Sequence, residues 1–584
     1  MRWILLCLLI CLAAPLAAEE IRRATNASDC PIGTDDEPDW WTPQESFAWR
    51  KICAGELADM RFATNADGTR GENDGAGCRA FTADPDDPTE LLEPDDWPET
   101  RTLSPRFLRQ IAARAPFTEA PAVPMVRIRC AQVTGHLSLR DETIPQTLWM
   151  NASRLDRGLD LENARFGGDL SLNDSLLPPR VTAHVVQVSG DWFLQRVHAA
   201  RIGAIGARIG GAVSATGSTF TGLFNADGME VGGGVSLHDM PSVAEVNLLG
   251  AKIGGSVGAD GSTLTGLFTA DGMEVGGGLF LRDMPSVAAV ELSSVRVGSM
   301  LQLQGSGFHD VVDLSGVEVA DEVLMWRDGV GMDWQEGASL ILRNASVGAL
   351  QAEMPGSWQE AAGRWIPYDL AGFSYGRLGG FTSRPGNDMA EVGPARPYVD
   401  WLNAEGLSEE GDRELYGPQP YRQLARVLRE MGAVAQADRV DFARLMHRRA
   451  THFGAVNTAW DYMVGAFRWG VDTVALVFVG FGVYPGVALA WFLALVGAGV
   501  VVGKRSPDLG DMSFWERTWF SLENALPLIE LSHRHAAYTH RSFDPNGAPT
   551  SVDAPRVANF FHFQKVAGFA LATVLVGALT LLGG

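Results

Sequence analysis

Gly217–Val246 reads GSTFTGLFNADGMEVGGGVSLHDMPSVAEV, and Gly261–Val290 reads GSTLTGLFTADGMEVGGGLFLRDMPSVAAV, a near-duplicate shifted by 44 residues. Within the two copies and between them an apolar residue returns every eleven positions: Phe224, Val235, Val246, Val257, Phe268, Leu279, Val290. The grid extends outward. Upstream it continues through Leu137, Leu148, Leu159, Leu170, Val181, Trp192, then, after one deletion, Ile202 and Val213; downstream it runs through Leu301, Val312 and Val323. Two residues beyond each key position lies a second apolar side chain, often Leu (Leu139, Leu161, Leu172, Leu237, Leu281, Leu303, Leu314) and otherwise Ala or Met. An i, i+2 pair on one face is strand spacing, not helix spacing.

One short strand per unit at fixed period predicts a solenoid, since no unit can bury its apolar face without its neighbours. A further apolar residue stands four positions before most key residues (Phe166, Val188, Ile209, Val231, Ile253, Val275). It is commonly followed by glycine at an expected corner: Gly135, Gly168, Gly190, Gly211, Gly233, Gly255 and Gly277. Two units make a coil of about 22 residues. The expected fold class is therefore mainly β, a parallel β-helix of right-handed sense over residues 125–383. Its duplicated segment records the copying of two whole coils.

Segments such as Ala164-Arg-Phe-Gly-Gly-Asp-Leu-Ser-Leu172 resemble pentapeptide-repeat β-helices, although the period departs from a strict five. With its C-terminal features, the chain resembles bacterial membrane-anchored proteins that carry a pentapeptide-like ectodomain. Some of these bear the automatic label membrane-associated oxidoreductase. That resemblance implies an exported solenoid on a membrane anchor; an activity must come from a site.

The 584 residues include 70 acidic and 47 basic side chains, a formal charge of −23 that repels nucleic acid. Met1 to Ala18 has Arg2, an apolar run and Ala-rich residues before Glu19, the pattern of a secretory signal at 1–18. The β-helix that follows is therefore expected outside the cytoplasm. Cys30, Cys53, Cys78 and Cys130 then read as two structural disulfides, with three pairings open. They fall in or beside residues 19–124, where Trp40, Trp41 and Trp49, two short helical patterns (Glu45 to Met60, Ser104 to Ala115) and acidic, Pro-rich loops suggest a stapled cap. Such a cap would protect the first coil's open edge.

After Met325 the period loosens, with echoes at Val347-Gly348 and Leu378-Gly379-Gly380, which predicts insertions in the last coils. Residues 384–417 read as linker and 418–470 as a helical coupler. Its Arg444, Arg448 and Arg449 are candidates for anionic lipid headgroups. Tyr484-Pro485 divides the apolar stretch that follows. An interfacial helix is expected at 471–485, a first span at 486–503, a cytoplasmic connection at 504–565 and a second span at 566–582, each span near the roughly 20 residues a helix needs. This orientation rests on the secretory signal, because the Lys and Arg counts flanking the first span are comparable.

The chain contains no GxGxxG, P-loop, HExxH, CxxCH or GxSxG pattern, so no cofactor and no catalytic residue is proposed from sequence. Two features of the connection bear chemistry. His533, His535, His540 and His562 are the only cluster with metal-ligand character. The aromatic segment 514–531, ending near Glu530, lies between two spans. It reads as an interfacial helix, or in the alternative as the re-entrant helix of a two-span channel with Glu530 at membrane depth. The preferred function is a non-enzymatic scaffold or recognition surface for an envelope protein or glycan, bound to membrane lipid through its anchor, oligomeric state open. Oxidoreductase remains a label without a motif.

Overall fold

In a computed structural model the chain falls into two compact units, Met1–Asp412 and Arg413–Gly584. The structure describes Cys30 and residues 37–69, 77–84, 86–91, 97–353, 356–379, 395–404, 417–452, 458–506, 509, 512–526 and 554–582. The expected signal at 1–18 lies outside them.

The first unit is a parallel β-solenoid. The eleven-residue grid alternates between two ladders of one coil. On one, Leu148 pairs with Leu170, Trp192, Val213, Val235, Val257, Leu279, Leu301 and Val323 in turn. On the other, Leu137 leads through Leu159, Val181, Ile202, Phe224, Val246, Phe268 and Val290 to Val312. Each partner is about one coil of 22 residues away, and every residue of the grid is at most 4% exposed. Stacking is closed by backbone bonds between coils, such as Val235 N to Ser256 O at 2.9 Å and Val257 N to Gly278 O at 2.9 Å.

The corners differ from the sequence expectation. None of Gly135, Gly168, Gly190, Gly211, Gly233, Gly255 and Gly277 has positive φ. The left-handed residue lies four positions after the key residue, at Gly217, Gly228, Asp239, Gly250, Gly261, Gly272 and Asp283. Asp and Asn tolerate this region better than other side chains, which is why the position is not always glycine. The other glycines answer a steric demand. A Cβ on Gly233 would sit 2.9 Å from the Gly211 carbonyl oxygen, and one on Gly255 2.8 Å from the Gly234 nitrogen.

The 44-residue repeat has its own structural meaning. Ser218, Ser262 and Ser306, one per two coils, are fully buried. The Ser262 hydroxyl donates to Leu237 O (2.6 Å) and accepts from Met240 N (3.0 Å); Ser306 does the same with Leu281 O and Met284 N (2.8 and 3.1 Å). A buried hydroxyl thus satisfies backbone groups that the ladders leave unpaired.

Both ends of the column are covered. At the first coil, α1 (Pro43–Cys53) opens with a capping box: Thr42 Oγ1 accepts from Glu45 N, and the Glu45 carboxylate accepts from Thr42 N. The same buried carboxylate accepts from Ser104 N, whose hydroxyl caps α2 (Pro105–Ala113), so one side chain fixes two helix starts. Trp41 packs edge-on against Phe107 and Trp49 against Phe117. The disulfides join Cys30 to Cys53 and Cys78 to Cys130. The cap also enters the ladders, since Ala58 pairs with Ile128 and Leu103 with Val133.

At the far end the offset grows to 28 residues, with Val319 paired to Val347 and Val347 to Tyr375. The expected linker contains a helix, α3 (Arg396–Ala404). Its Trp401 is buried against Trp358, and its backbone oxygen accepts from Tyr368 Oη at 2.5 Å. An aromatic plug here shields the last apolar rung, which is why this part of the segment folds.

The second unit is helical: α4 (Pro418–Glu430), α5 (Val434–Thr451), α6 (Ala459–Val479), α7 (Pro485–Lys504), α8 (Phe514–Ala525) and α9 (Ala554–Leu582). Three helices, Ala459–Gly482, Pro485–Lys504 and Arg556–Gly577, are long and apolar enough to cross a membrane, where sequence suggested two. The additional one absorbs both the end of the expected coupler and the expected interfacial helix at 471–485. Thr458 starts it with a capping box to Asp461, and left-handed Gly480 ends it. Pro485 then takes the first turn of α7, where its missing N–H costs nothing.

Candidate arginine pocket and charged face

Where the cap meets the solenoid, a pocket of 750 Å³ gathers Arg61, Arg79, Arg127, Arg129 and Arg196 around Trp149, with Asp174 its one carboxylate. Four separate stretches of chain supply these arginines, Arg196 coming from a later coil. Arg61 follows the cap strand that pairs with the first coil, and Arg79 is held next to the Cys78–Cys130 bridge. Arg127 and Arg129 occupy alternate positions of Met125–Arg129, in register with Trp149 and Asn151. Two are already neutralised: Arg61 pairs with Asp59 at 2.6 Å and Arg196 with Asp174 at 2.6 Å. Burial would raise the Asp59 carboxyl, but hydrogen bonds from Arg61 and the charges of Arg61 and Arg129 hold it below the usual carboxylate range. Arg127 donates to the Gly55 carbonyl oxygen. Among the described residues, Arg79 and Arg129 have no ion pair. Planar guanidinium forks beside an indole face suit a carboxylate or phosphate on a ring-bearing ligand.

A second feature runs along one face. Arg208, Glu230, Lys252, Glu274, Arg296 and Glu318 are consecutive partners in one ladder, so six exposed charges alternate in sign. Neutral Gln187 precedes them and neutral Ser346 follows. Two positions along each strand lie Gly210, Gly232, Gly254, Gly276, Gly298 and Ala320, exposed and all but bare of side chains, within a trough of 1140 Å³. A Cβ on each glycine from Gly232 to Gly298 would overlap the carbonyl oxygen of the glycine one coil before.

The residues singled out from sequence fall elsewhere. Arg444, Arg448 and Arg449 each have a partner within the chain. Arg444 pairs with Asp441 (3.2 Å), Arg448 with Asp472 (2.6 Å), and Arg449 donates to Thr473 Oγ1 (2.9 Å) and lies over Trp469 (4.6 Å). His452 Nε2 completes the Asp472 site at 2.8 Å. The physical reason is Asp472 itself: a carboxylate in an apolar helix demands compensation, and α5 supplies it. Glu530, His533, His535 and His540 lie outside the described residues; His562 is exposed on α9. Among the described residues no three His, Cys, Asp or Glu side chains converge as a metal site. The segment 514–531 is helical over Phe514–Ala525, with Phe520 and Ser521 buried and Phe514, Trp515 and Trp519 exposed. Ser521 donates to Val496 O (2.7 Å), and Gln564 Nε2 donates to Ser521 Oγ (2.7 Å), tying α8 to α7 and α9.

Sequence reading missed the arginine pocket, since its members are up to 135 residues apart (Arg61 to Arg196) and meet only through the coil spacing and a disulfide. The ladder had a signal that could have been read: charge at 22-residue intervals, alternating in sign. No family model, curated protein or solved structure matches this chain. The structure shows a β-solenoid, compatible with a repeat β-helix.

Proposed function

We propose that the protein is a non-enzymatic recognition scaffold of the bacterial envelope, in which the exported solenoid presents the arginine pocket to an anionic glycan and the apolar helices hold it at the inner membrane. The observation that supports this is local charge reversal: five arginines line one pocket of a chain whose net charge is −23. Cations held close together repel one another, and a bound anion would relieve the repulsion that the pairs to Asp59 and Asp174 leave. With the purified full chain in detergent, a carboxylated or phosphorylated glycan is expected to bind in preference to its neutral counterpart. Arg79→Ala and Arg129→Ala should each weaken binding about tenfold, the loss of one charge-assisted contact. Equal binding of charged and neutral glycans would refute the reading.

With three crossings rather than two, the proposed orientation changes after α7. Residues following Lys504 return to the solenoid's side, so the expected cytoplasmic connection becomes periplasmic. A conducting role for α8 is the second reading, favoured only by the buried polar contact of Ser521 with Gln564 between helices.

A further inference from the structure

We infer that the alternating ladder is a self-complementary surface on which a second copy of this chain docks in antiparallel orientation. The proposal is independent of the arginine pocket. Consider a two-fold axis along the strand direction, passing between the rungs of Lys252 and Glu274. Such a rotation reverses the order of the coils and keeps each column at its lateral position. Charge column then meets charge column, and glycine column meets glycine column. Reading the six charges forward gives plus, minus, plus, minus, plus, minus; the reverse is opposite in sign at every rung.

Arg208 therefore faces Glu318 of the second copy, Glu230 faces Arg296, and Lys252 faces Glu274, each reciprocally, as an isologous interface requires. A two-fold parallel to the solenoid would instead set charges against glycines. At about 4.8 Å per coil the matched strip is about 24 Å long. The bare glycine column permits close approach beside it, with Gly254 opposite Gly276 and Gly232 opposite Gly298.

Within one chain Arg208 reaches Glu230 at 3.1 Å and Arg296 reaches Glu274 at 2.9 Å and Glu318 at 3.5 Å. Lys252 has no ion pair among the described residues, although it stands between Glu230 and Glu274 in register. The charge without an intrachain partner is thus the one next to the proposed axis. Alternation alone would serve to avoid like charges on adjacent rungs. An even count bounded by neutral Gln187 and Ser346 adds the match under reversal.

The test uses the full chain in a nonionic detergent, with protein mass per particle measured by light scattering. The parent is expected as two chains. Lys252→Glu places like charges at both central contacts, as does Glu274→Lys, so each variant alone should fall to one chain. Mixed, the two should pair with each other, because the acid introduced at position 252 of one variant then opposes the base introduced at position 274 of the other; differently tagged chains would report this. Recovery in the mixture requires both variants to be folded. A parent of one chain, variants that remain paired with themselves, or a mixture that fails to associate would each overturn the proposal.

Discussion

Val257 and Leu303 show what a single buried position contributes. Both are fully buried, and Val257 is stacked between Val235 and Leu279 of the neighbouring coils. Replacing either by Asp would place a carboxylate where no cation can reach it, so the group must stay neutral or unfold the site. Each substitution is expected to cost about 3–5 kcal/mol, enough to abolish the cooperative thermal transition of the solenoid. Unchanged melting would contradict the inward assignment. Asp472 illustrates the opposite case: a carboxylate survives in an apolar helix because Arg448 and His452 bond to it.

At the scale of the element, the coil's turn is governed by two positions that look alike in sequence. Gly272 adopts left-handed φ of 68°, a torsional requirement, whereas Gly276 must let one coil lie on the next. The distinction is measurable. Gly276→Ala is expected to destabilise by about 1–3 kcal/mol through overpacking against the Gly254 carbonyl, read as a lower denaturation midpoint. Gly272→Asn, at an open corner with nothing near its Cβ, should cost less than half as much. Equal losses would erase the difference between the two roles.

For the whole molecule the count of membrane helices decides which side each part occupies. Three crossings predict that cysteines introduced at Glu336, whose side chain is highly exposed, and at Ser542, in the segment after α7, both react with an impermeant reagent in intact spheroplasts. Two crossings, as read from sequence, would leave the Ser542 position protected. The difference arises from residues 459–470. Their polar and charged members, Asp461 and Arg468, obscure the span in sequence, although Phe467 and Trp469 are exposed on the folded helix.

Sequence alone determined the solenoid, its coil of two eleven-residue units and its inward residues, because burial on a repeating strand imposes a period that composition cannot hide. It determined that four cysteines form two bridges and that the C-terminal part is apolar and helical. Only the tertiary structure decided which cysteines pair, which glycines turn and which merely make room, and that a helix plugs the last coil. It also brought Arg61, Arg79, Arg127, Arg129 and Arg196 into one pocket and six alternating charges into one column. These depend on distances across coils. A period fixes which face a residue occupies, but contacts between distant segments are set by closure of the chain in three dimensions.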